Sequence, residues 1–213
     1  MQYSAVIVAA GSGSRMNLGF NKVYAHLPEG CTILEKTMSV FLEDEDCVQI
    51  VVVTDAAEYL HHIQTRVPGR ITFAMGGDTR QRSVLNGTMA AIADTVFIHD
   101  GARPFLSREL LDQLKETMET EEAALLAVPC KDTIKIVEHG YVRMTVERNT
   151  VCGAQTPQAF RTEKIIDCIH KAEQEGYTGT DDCSLAERYS NMRIKVVQGS
   201  YENYKITTPE DLR

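Results

Sequence analysis

The sequence predicts an α/β protein: a single domain built on a mostly parallel twisted sheet flanked by helices. Three observations predict it. β-Branched apolar runs alternate along the chain with stretches whose apolar residues recur at helical spacing, which is the pattern of strand–helix–strand crossovers. Glycine-bearing turns follow several of the strands, at Gly11-Ser12-Gly13, Gly76-Gly77 and Gly101. The 213 residues contain no Pro/Gly/Ser-rich linker, and that length can bury a substantial core as one domain.

Residues Ala5 to Ala10 form the first apolar strand and run directly into Gly11. Thr32 to Leu42 places Ile33, Leu34, Met38, Phe41 and Leu42 on one helical face. Gln49 to Val53 reads as a strand covered on both faces, and Asp55-Ala56-Ala57-Glu58 opens a helix as a capping box. Ile71 to Met75 is a short strand, followed by Gly76-Gly77-Asp78-Thr79-Arg80-Gln81. This turn feeds a helix with Asp78 as N-cap and Val84, Leu85, Thr88, Met89 and Ile92 facing inward. Thr95 to His99 is the fourth strand, ending in Asp100-Gly101-Ala102-Arg103-Pro104. Ser107 then caps a helix carrying Leu110, Leu111, Leu114 and Met118.

Ala123 to Val128 is a fifth strand, closed by Pro129. Thr133 to Val137 and Tyr141 to Val146 alternate around His139-Gly140, the pattern of a hairpin. An isolated hairpin is marginally stable, so this one must pack on the domain's own surface or on a second subunit, and the second case makes the protein a dimer. Thr162 to Gly176 is a helix, Thr180 caps a short helix over Asp181 to Tyr189, and Arg193 to Val197 is a strand. Thr208-Pro209-Glu210-Asp211 has the cap, proline and acidic turn of a helix start, and a terminal helix is expected to follow.

Composition narrows the function. A net charge of −8 and a pI near 5.3 oppose binding to nucleic acid or to an acidic membrane surface. Cys31, Cys47, Cys130, Cys152, Cys168 and Cys183 lack metal-ligand spacing and stand in a chain that does not need disulfides, so reduced thiols in the cytoplasm are expected. The apolar runs are too short to span a membrane, and nothing at the N-terminus resembles an export signal.

Against that acidic background, the stretch from Val6 to Met16 with Lys22 stands out. A strand delivers Gly11, Ser12 and Gly13, whose backbone N–H groups can turn toward anionic oxygens, and Arg15 and Lys22 add full charges. Glycine-rich turns are more often plain surface turns, but ligands collect beyond the carboxyl ends of strands in α/β sheets. Two familiar phosphate loops are excluded by counting. A dinucleotide fingerprint requires a glycine where Met16 stands, and a P-loop requires Gly-Lys-Ser/Thr where Met16-Asn17-Leu18 stands.

Taken together, the motifs resemble those of the 2-C-methyl-D-erythritol 4-phosphate cytidylyltransferases of the non-mevalonate isoprenoid pathway, from about Ser4 to Leu212. Those motifs are Ala-Ala-Gly-x-Gly-x-Arg-Met at Ala9 to Met16 with Lys22, Gly-Gly-Asp-x-Arg-x-x-Ser at Gly76 to Ser83, and His-Asp-Gly-Ala-Arg-Pro at His99 to Pro104. They continue with Asp-Thr-x-Lys at Asp132 to Lys135, Glu-Arg-Asn at Glu147 to Asn149, Gln-Thr-Pro-Gln at Gln155 to Gln158, and Lys-Ile-Thr-Thr-Pro-Glu-Asp-Leu at Lys205 to Leu212. The family often has proline where Ala9 and Asn21 stand and alanine where Gly101 stands. Asn21 is therefore expected to loosen the lysine's loop, and Gly101 to soften the second-substrate site.

The resemblance implies a Rossmann-like nucleotidyltransferase domain over residues 1–213, with a protruding hairpin arm at about 131–150 that makes a homodimer. It implies transfer of a cytidylyl group from CTP to a polyol phosphate, 2-C-methyl-D-erythritol 4-phosphate, with Arg15, Lys22 and Lys205 as catalytic cations and a divalent metal, Mg2+ or similar. A hard cation prefers oxygen ligands, so Asp100 is the candidate for the metal or for a ribose contact. The CTP site it implies comprises Ala9, Ala10, Gly11, Ser12, Gly13, Gly77, Asp78, Ser83, Asp100 and Gly101. The acceptor site comprises Asp100, Arg103, Thr156, Thr180 and Lys205, with Thr133 and Arg148 from the partner's arm. Arg148, just past an alternating strand, has no local partner in the sequence. Arg80 and Arg82 read as solvated helix charges and Glu202 as a solvated carboxylate, so none is assigned to the site. Ribitol or ribulose 5-phosphate remains the competing acceptor, and a catalytically silent CTP-binding regulatory module the competing class.

Overall fold

The computed structural model describes residues 1–11, 19–63 and 69–212. The first half alternates as expected: β1 (Tyr3–Val8), α1 (Ile33–Leu42), β2 (Cys47–Val53), α2 (Ala56–His62), β3 (Ile71–Ala74), α3 (Arg80–Met89), β4 (Thr95–Asp100), α4 (Arg108–Met118) and β5 (Ala123–Pro129). An antiparallel hairpin of β6 (Lys135–Glu138) and β7 (Tyr141–Thr145) follows, then β8 (Cys152–Arg161), α5 (Thr162–Gln174), α6 (Asp182–Tyr189) and β9 (Ile194–Gln198). The sheet order is β3-β2-β1-β4-β8-β5-β9, with β8 antiparallel to β4 and β5 and every other pairing parallel.

Strand alternation divides the core into two layers. Ile7, Val52, Phe97 and Leu126 face one way with α1, α2 and α4, while Val6, Val51, Ile98 and Leu125 face α3, α5 and α6. In α4 the inward face is Leu110, Leu111, Leu114 and Met118, all buried, each side chain contributing ~1.5–3 kcal/mol of apolar burial.

Several local expectations are corrected. β8 was not anticipated: Cys152-Gly153-Ala154-Gln155-Thr156-Pro157 does not look like a strand, yet its backbone bonds on both sides fill the gap between β4 and β5. Helix α3 turns only Val84, Leu85 and Thr88 inward, and Met89 and Ile92 are 60% and 72% exposed, because the helix ends at Met89 and the inward face ends with it. Its N-cap is Thr79, whose side chain accepts from Arg82 N, and not Asp78. Asp181, not Thr180, caps α6 in a reciprocal box with Ser184. Asp55 does cap α2, but the two-way box expected there is found at Thr32 and Glu35 of α1. Pro209–Leu212 is a short 3-10 turn, with the Asp211 carboxylate accepting from Thr207 N and Thr208 N.

The hairpin is exposed along both strands, so the domain's own surface does not cover it. Its root, in contrast, is fastened. Arg148 Nη1 donates to Lys131 O at 3.1 Å, which supplies the local partner that the sequence did not reveal. Tyr201 donates to Pro129 O at 2.6 Å, and Lys131 Nζ lies 3.7 Å from the centre of the Tyr201 ring.

Candidate active site

Parallel sheets leave a crevice where strand order reverses. Here β1 has β2 on one side and β4 on the other, and a cavity of about 460 Å³ opens beyond their carboxyl ends. Val8 to Gly11 form one wall, Gly77 to Arg80 with Ser83 a second, Asp100 to Ala102 a third, and Asn21 to Val23 with Lys205 complete it.

Two glycines set how closely these walls approach. A Cβ on Gly76 would lie 2.3 Å from the Ala10 Cβ, so only glycine allows the second turn to lean on the first. A Cβ on Gly101 would meet Val8 O at 3.0 Å and the Ala9 Cβ at 3.2 Å, and Gly101 N donates to Val8 O at 2.9 Å. Gly101 is therefore pressed against β1 and the residue after it. Asn21 also tightens its surroundings. It is buried, its side-chain amide donates to Ala9 O, and its Oδ1 accepts from Val23 N at 3.3 Å, so it ties the Lys22 segment to the end of β1.

The cations converge from distant parts of the chain. Lys22 Nζ donates to Ile206 O at 2.6 Å, and Ile206 N donates to Ala102 O at 2.9 Å. Lys205 Nζ donates to Asp100 Oδ2 at 2.8 Å, and Arg103 Nε lies 3.7 Å from that same oxygen. The sequence reading missed Arg80: its Nε and Nη2 both lie 3.4 Å from Asp100 Oδ1, while its Nη1 and Nη2 grip Asp182 Oδ1 and Oδ2 at 3.0 and 2.9 Å. The local signal for it is its place as the arginine of the Gly-Gly-Asp-x-Arg-x-x-Ser motif. The crossover from β3 to β4, which lays α3 over β1 and β2, is what brings it to Asp100.

Burial alone would raise the Asp100 carboxyl, but Arg80, Lys205 and Arg103 hold it far below the usual carboxylate range, so it is an anion at neutral pH. Burial likewise weakens the charge on Arg80, yet Asp182 and Asp100 more than offset this and push its pKa up. Burial lifts the Asp182 carboxyl while the Arg80 fork opposes that rise. With two bonds of 2.9 and 3.0 Å from a guanidinium, it stands as the ionised partner.

A second layer fixes the Asp100 turn. Arg103 O can only accept, so the neutral His99 ring carries its proton on Nε2 and donates there at 3.1 Å. His99 Nδ1 then accepts from Thr156 Oγ1 at 2.9 Å, and that hydroxyl oxygen accepts from Asp100 N at 3.1 Å. Burial pushes the His99 pKa down to about 4, so the ring is neutral and fully committed, and it is not a general base. Asn203 supports the same region, donating to Thr156 O at 2.9 Å and accepting Arg103 Nη1 on its backbone oxygen at 2.7 Å.

Of the residues chosen from sequence, Ala9, Ala10, Gly11, Lys22, Gly77, Asp78, Ser83, Asp100, Gly101 and Lys205 line one cavity. Arg103 joins through Asp100. Thr156 is buried behind Asp100 and does not line the space. Thr180, Thr133 and Arg148 are exposed and stand outside the cavity lining of this chain. Ser12, Gly13 and Arg15 lie outside the described residues. Arg82 pairs with Glu173 at the surface and Glu202 is exposed, both as expected.

Comparison with known proteins adds the family. A family model described as 2-C-methyl-D-erythritol 4-phosphate cytidylyltransferase matches residues 3–213. The chain belongs to that family. Enzymes of that name from Halalkalibacterium halodurans and Bacillus licheniformis are 45% and 41% identical, over all of this chain and 94% and 93% of theirs. A crystal structure of 4-diphosphocytidyl-2C-methyl-D-erythritol synthase from Anaerococcus prevotii superposes with a TM-score of 0.88 at 34% identity, covering 99% of this chain and 92% of that one. The Francisella tularensis cytidylyltransferase gives 0.85 at 29% identity, over all of this chain and 97% of its own. As a cytidylyltransferase of this family the chain is a nucleotidyltransferase, and the family's chemistry is CTP-dependent transfer to 2-C-methyl-D-erythritol 4-phosphate. Among the described residues no helix is long and apolar enough to cross a membrane.

Proposed function

We propose that this cavity takes CTP and that an oxygen of methylerythritol 4-phosphate attacks its α-phosphorus. A P–O bond to the acceptor forms as the bond to the β-phosphate breaks, and pyrophosphate leaves with the electron pair. The observation that carries the reading is the convergence of Lys22 and Lys205, through Ile206 and Asp100, on the cavity lined by both glycine turns.

The chemistry needs little acid–base machinery. A phosphate monoester loses its second proton near pH ~6, so the nucleophile is already an anion at neutral pH. The barrier is repulsion between anions, and preorganised cations lower it by meeting charge as it develops. Lys22 and Lys205 stand in that position, with Arg15 added by its motif. Ala10, Gly11, Gly77, Asp78 and Ser83 then line the cytidine end, with Ser83 Oγ accepting from Gly77 N at 3.0 Å to hold that turn. Arg103 and Thr180 are placed on the acceptor side, with Thr133 and Arg148 contributed by the arm of a second copy in a homodimer.

A divalent metal fits the donor set. Among the described residues Asp100 Oδ1 meets the two 3.4 Å approaches from Arg80, which leave lone-pair capacity, and Mg2+ is commonly held by one carboxylate, substrate phosphates and water. Bound there, the ion would neutralise phosphate charge. Free cysteines throughout the described chain agree with a cytoplasmic enzyme.

The test is incubation of the protein with CTP, Mg2+ and, in turn, methylerythritol 4-phosphate, ribitol 5-phosphate and ribulose 5-phosphate, following pyrophosphate release. Turnover with methylerythritol 4-phosphate at the highest kcat/KM is expected. Turnover with a pentose-derived acceptor alone, or CTP binding without any turnover, overturns the assignment.

A further inference from the structure

Asp182 is almost wholly buried, and the helix it begins does not need it. The first turn of α6 is already capped: Asp181 Oδ1 accepts from Ser184 N at 2.8 Å, and Cys183 N donates to Gln158 Oε1 at 3.0 Å. Burying a further carboxylate is costly unless it is paired, and the partner here is Arg80. Arg80 is itself unfavourably placed, a cation on the first turn of α3 where the helix dipole presents its positive end. Each charge compensates the other.

The distances show which carboxylate holds the guanidinium. Asp182 takes the fork end-on at 3.0 and 2.9 Å, while Asp100 meets only its flank at 3.4 Å. Gln81, the next residue of α3, fixes the same neighbouring loop, accepting from Gly179 N at 3.1 Å and donating to Tyr177 O at 3.3 Å. Asp181 is fastened to the sheet by Gln158 Nε2 at 2.7 Å. The segment that carries Asp182 is therefore rigidly set against both α3 and β8.

We propose that Asp182 is a positioning residue: it draws Arg80 back from Asp100 and so keeps Asp100 Oδ1 open toward the cavity. It touches neither substrate nor the reacting atoms and acts through Arg80. Without it the guanidinium closes onto Asp100 as its sole carboxylate, and Asp100 is occupied where substrate or metal needs it. This rests on Asp100 being a contact of the bound nucleotide or its ion.

The test compares wild type, Asp182→Asn, Arg80→Gln and the double variant by calorimetric titration with CTP and Mg2+, together with kcat and KM for the acceptor and melting temperature. Asp182→Asn, which preserves size, is expected to weaken CTP binding about tenfold. In the Arg80→Gln background the same change is expected to alter affinity by less than about twofold, because the residue through which it acts is gone. Wild-type affinity in Asp182→Asn, or a tenfold loss that persists without Arg80, overturns the proposal. Should Asp182→Asn fail to fold, the double variant, which removes both charges, decides against Arg80→Gln alone: equal affinity supports the role and a tenfold difference ends it. A wild-type protein that binds CTP but transfers to no acceptor contradicts the assigned function, while the binding comparison still settles Asp182.

Discussion

The Lys205 side chain is 36% exposed and yet joined to Asp100 at 2.8 Å, a pair held in a half-open site where its charge remains available to a ligand. Its contribution to folding is small for that reason, since ion pairs near solvent contribute ~0–1 kcal/mol. Its contribution to transfer is expected to be large. Replacing Lys205 with methionine should lower kcat by about 10²- to 10³-fold, the cost typical of removing one preorganised group that stabilises a developing charge. Steady-state kinetics beside a thermal melt checks this; a melt shifted by many degrees with kcat intact would assign the residue to structure instead. Asn21 and Gly101 carry a related lesson. Asn21, expected to loosen the lysine's loop, ties the Lys22 segment to the end of β1, and Gly101 lies close against the same strand, because what matters is what the side chain or the missing Cβ faces.

At the level of elements, the hairpin and β8 are opposite cases. The hairpin was legible because its side chains alternate and a glycine follows His139, which adopts a φ of 50°, with Gly140 at 85°. Strand β8 was not, because Gly, Gln, Thr and Pro give it no apolar period. It is a strand because β4 and β5 offer unpaired edges that its backbone satisfies. The arm's exposed Ile136, Val137, Tyr141, Val142 and Met144 form the surface on which the proposed second copy would pack. Arg148 sits at the arm's root with its bond to Lys131 O, on an exposed turn. Arg148→Ala is expected to raise the acceptor KM roughly tenfold, the loss of one charge-assisted contact, and to leave CTP affinity within about twofold. Initial rates over acceptor concentration, with calorimetry for CTP, decide it, and an unchanged acceptor KM would remove the arm from the site.

For the whole molecule, stability should depend on pH through His99. Unfolded, its ring binds a proton below about 6.5, whereas burial in the fold lowers that value to about 4. The folded state therefore binds fewer protons than the unfolded chain between those limits. Stability is complete above pH 6.5 and is lost as the pH falls from 6.5 toward 4, by roughly 3 kcal/mol for a shift of this size. Asp100 acts in a separate window: its depressed pKa contributes stability above the ordinary carboxylate range that is lost only in stronger acid. Urea unfolding at several pH values from about 7 to 4 should show the first loss, and His99→Gln should flatten it. A midpoint independent of pH over that range would mean the ring is not held neutral.

Sequence by itself determined the alternation of strands and helices, the two glycine turns, the hairpin and most of the cavity lining. The first three rest on local chemistry: apolar period, cap residues, and glycine where backbone must approach a ligand or another strand. Most of the cavity lining rests on the resemblance of the motifs to a known family. Only the tertiary structure decided that β8 runs antiparallel through the sheet, that Arg80 belongs to the site, and that Thr156 stands behind Asp100. It alone joined Asp182 to the site as well. The physical reason is that these are long-range pairings: Arg80 meets Asp182, and Thr156 meets His99 and Asp100, only after the chain has paired β8 with β4 and laid α3 over β1 and β2. An arginine in a helix's first turn looks solvated until a buried carboxylate from another element faces it.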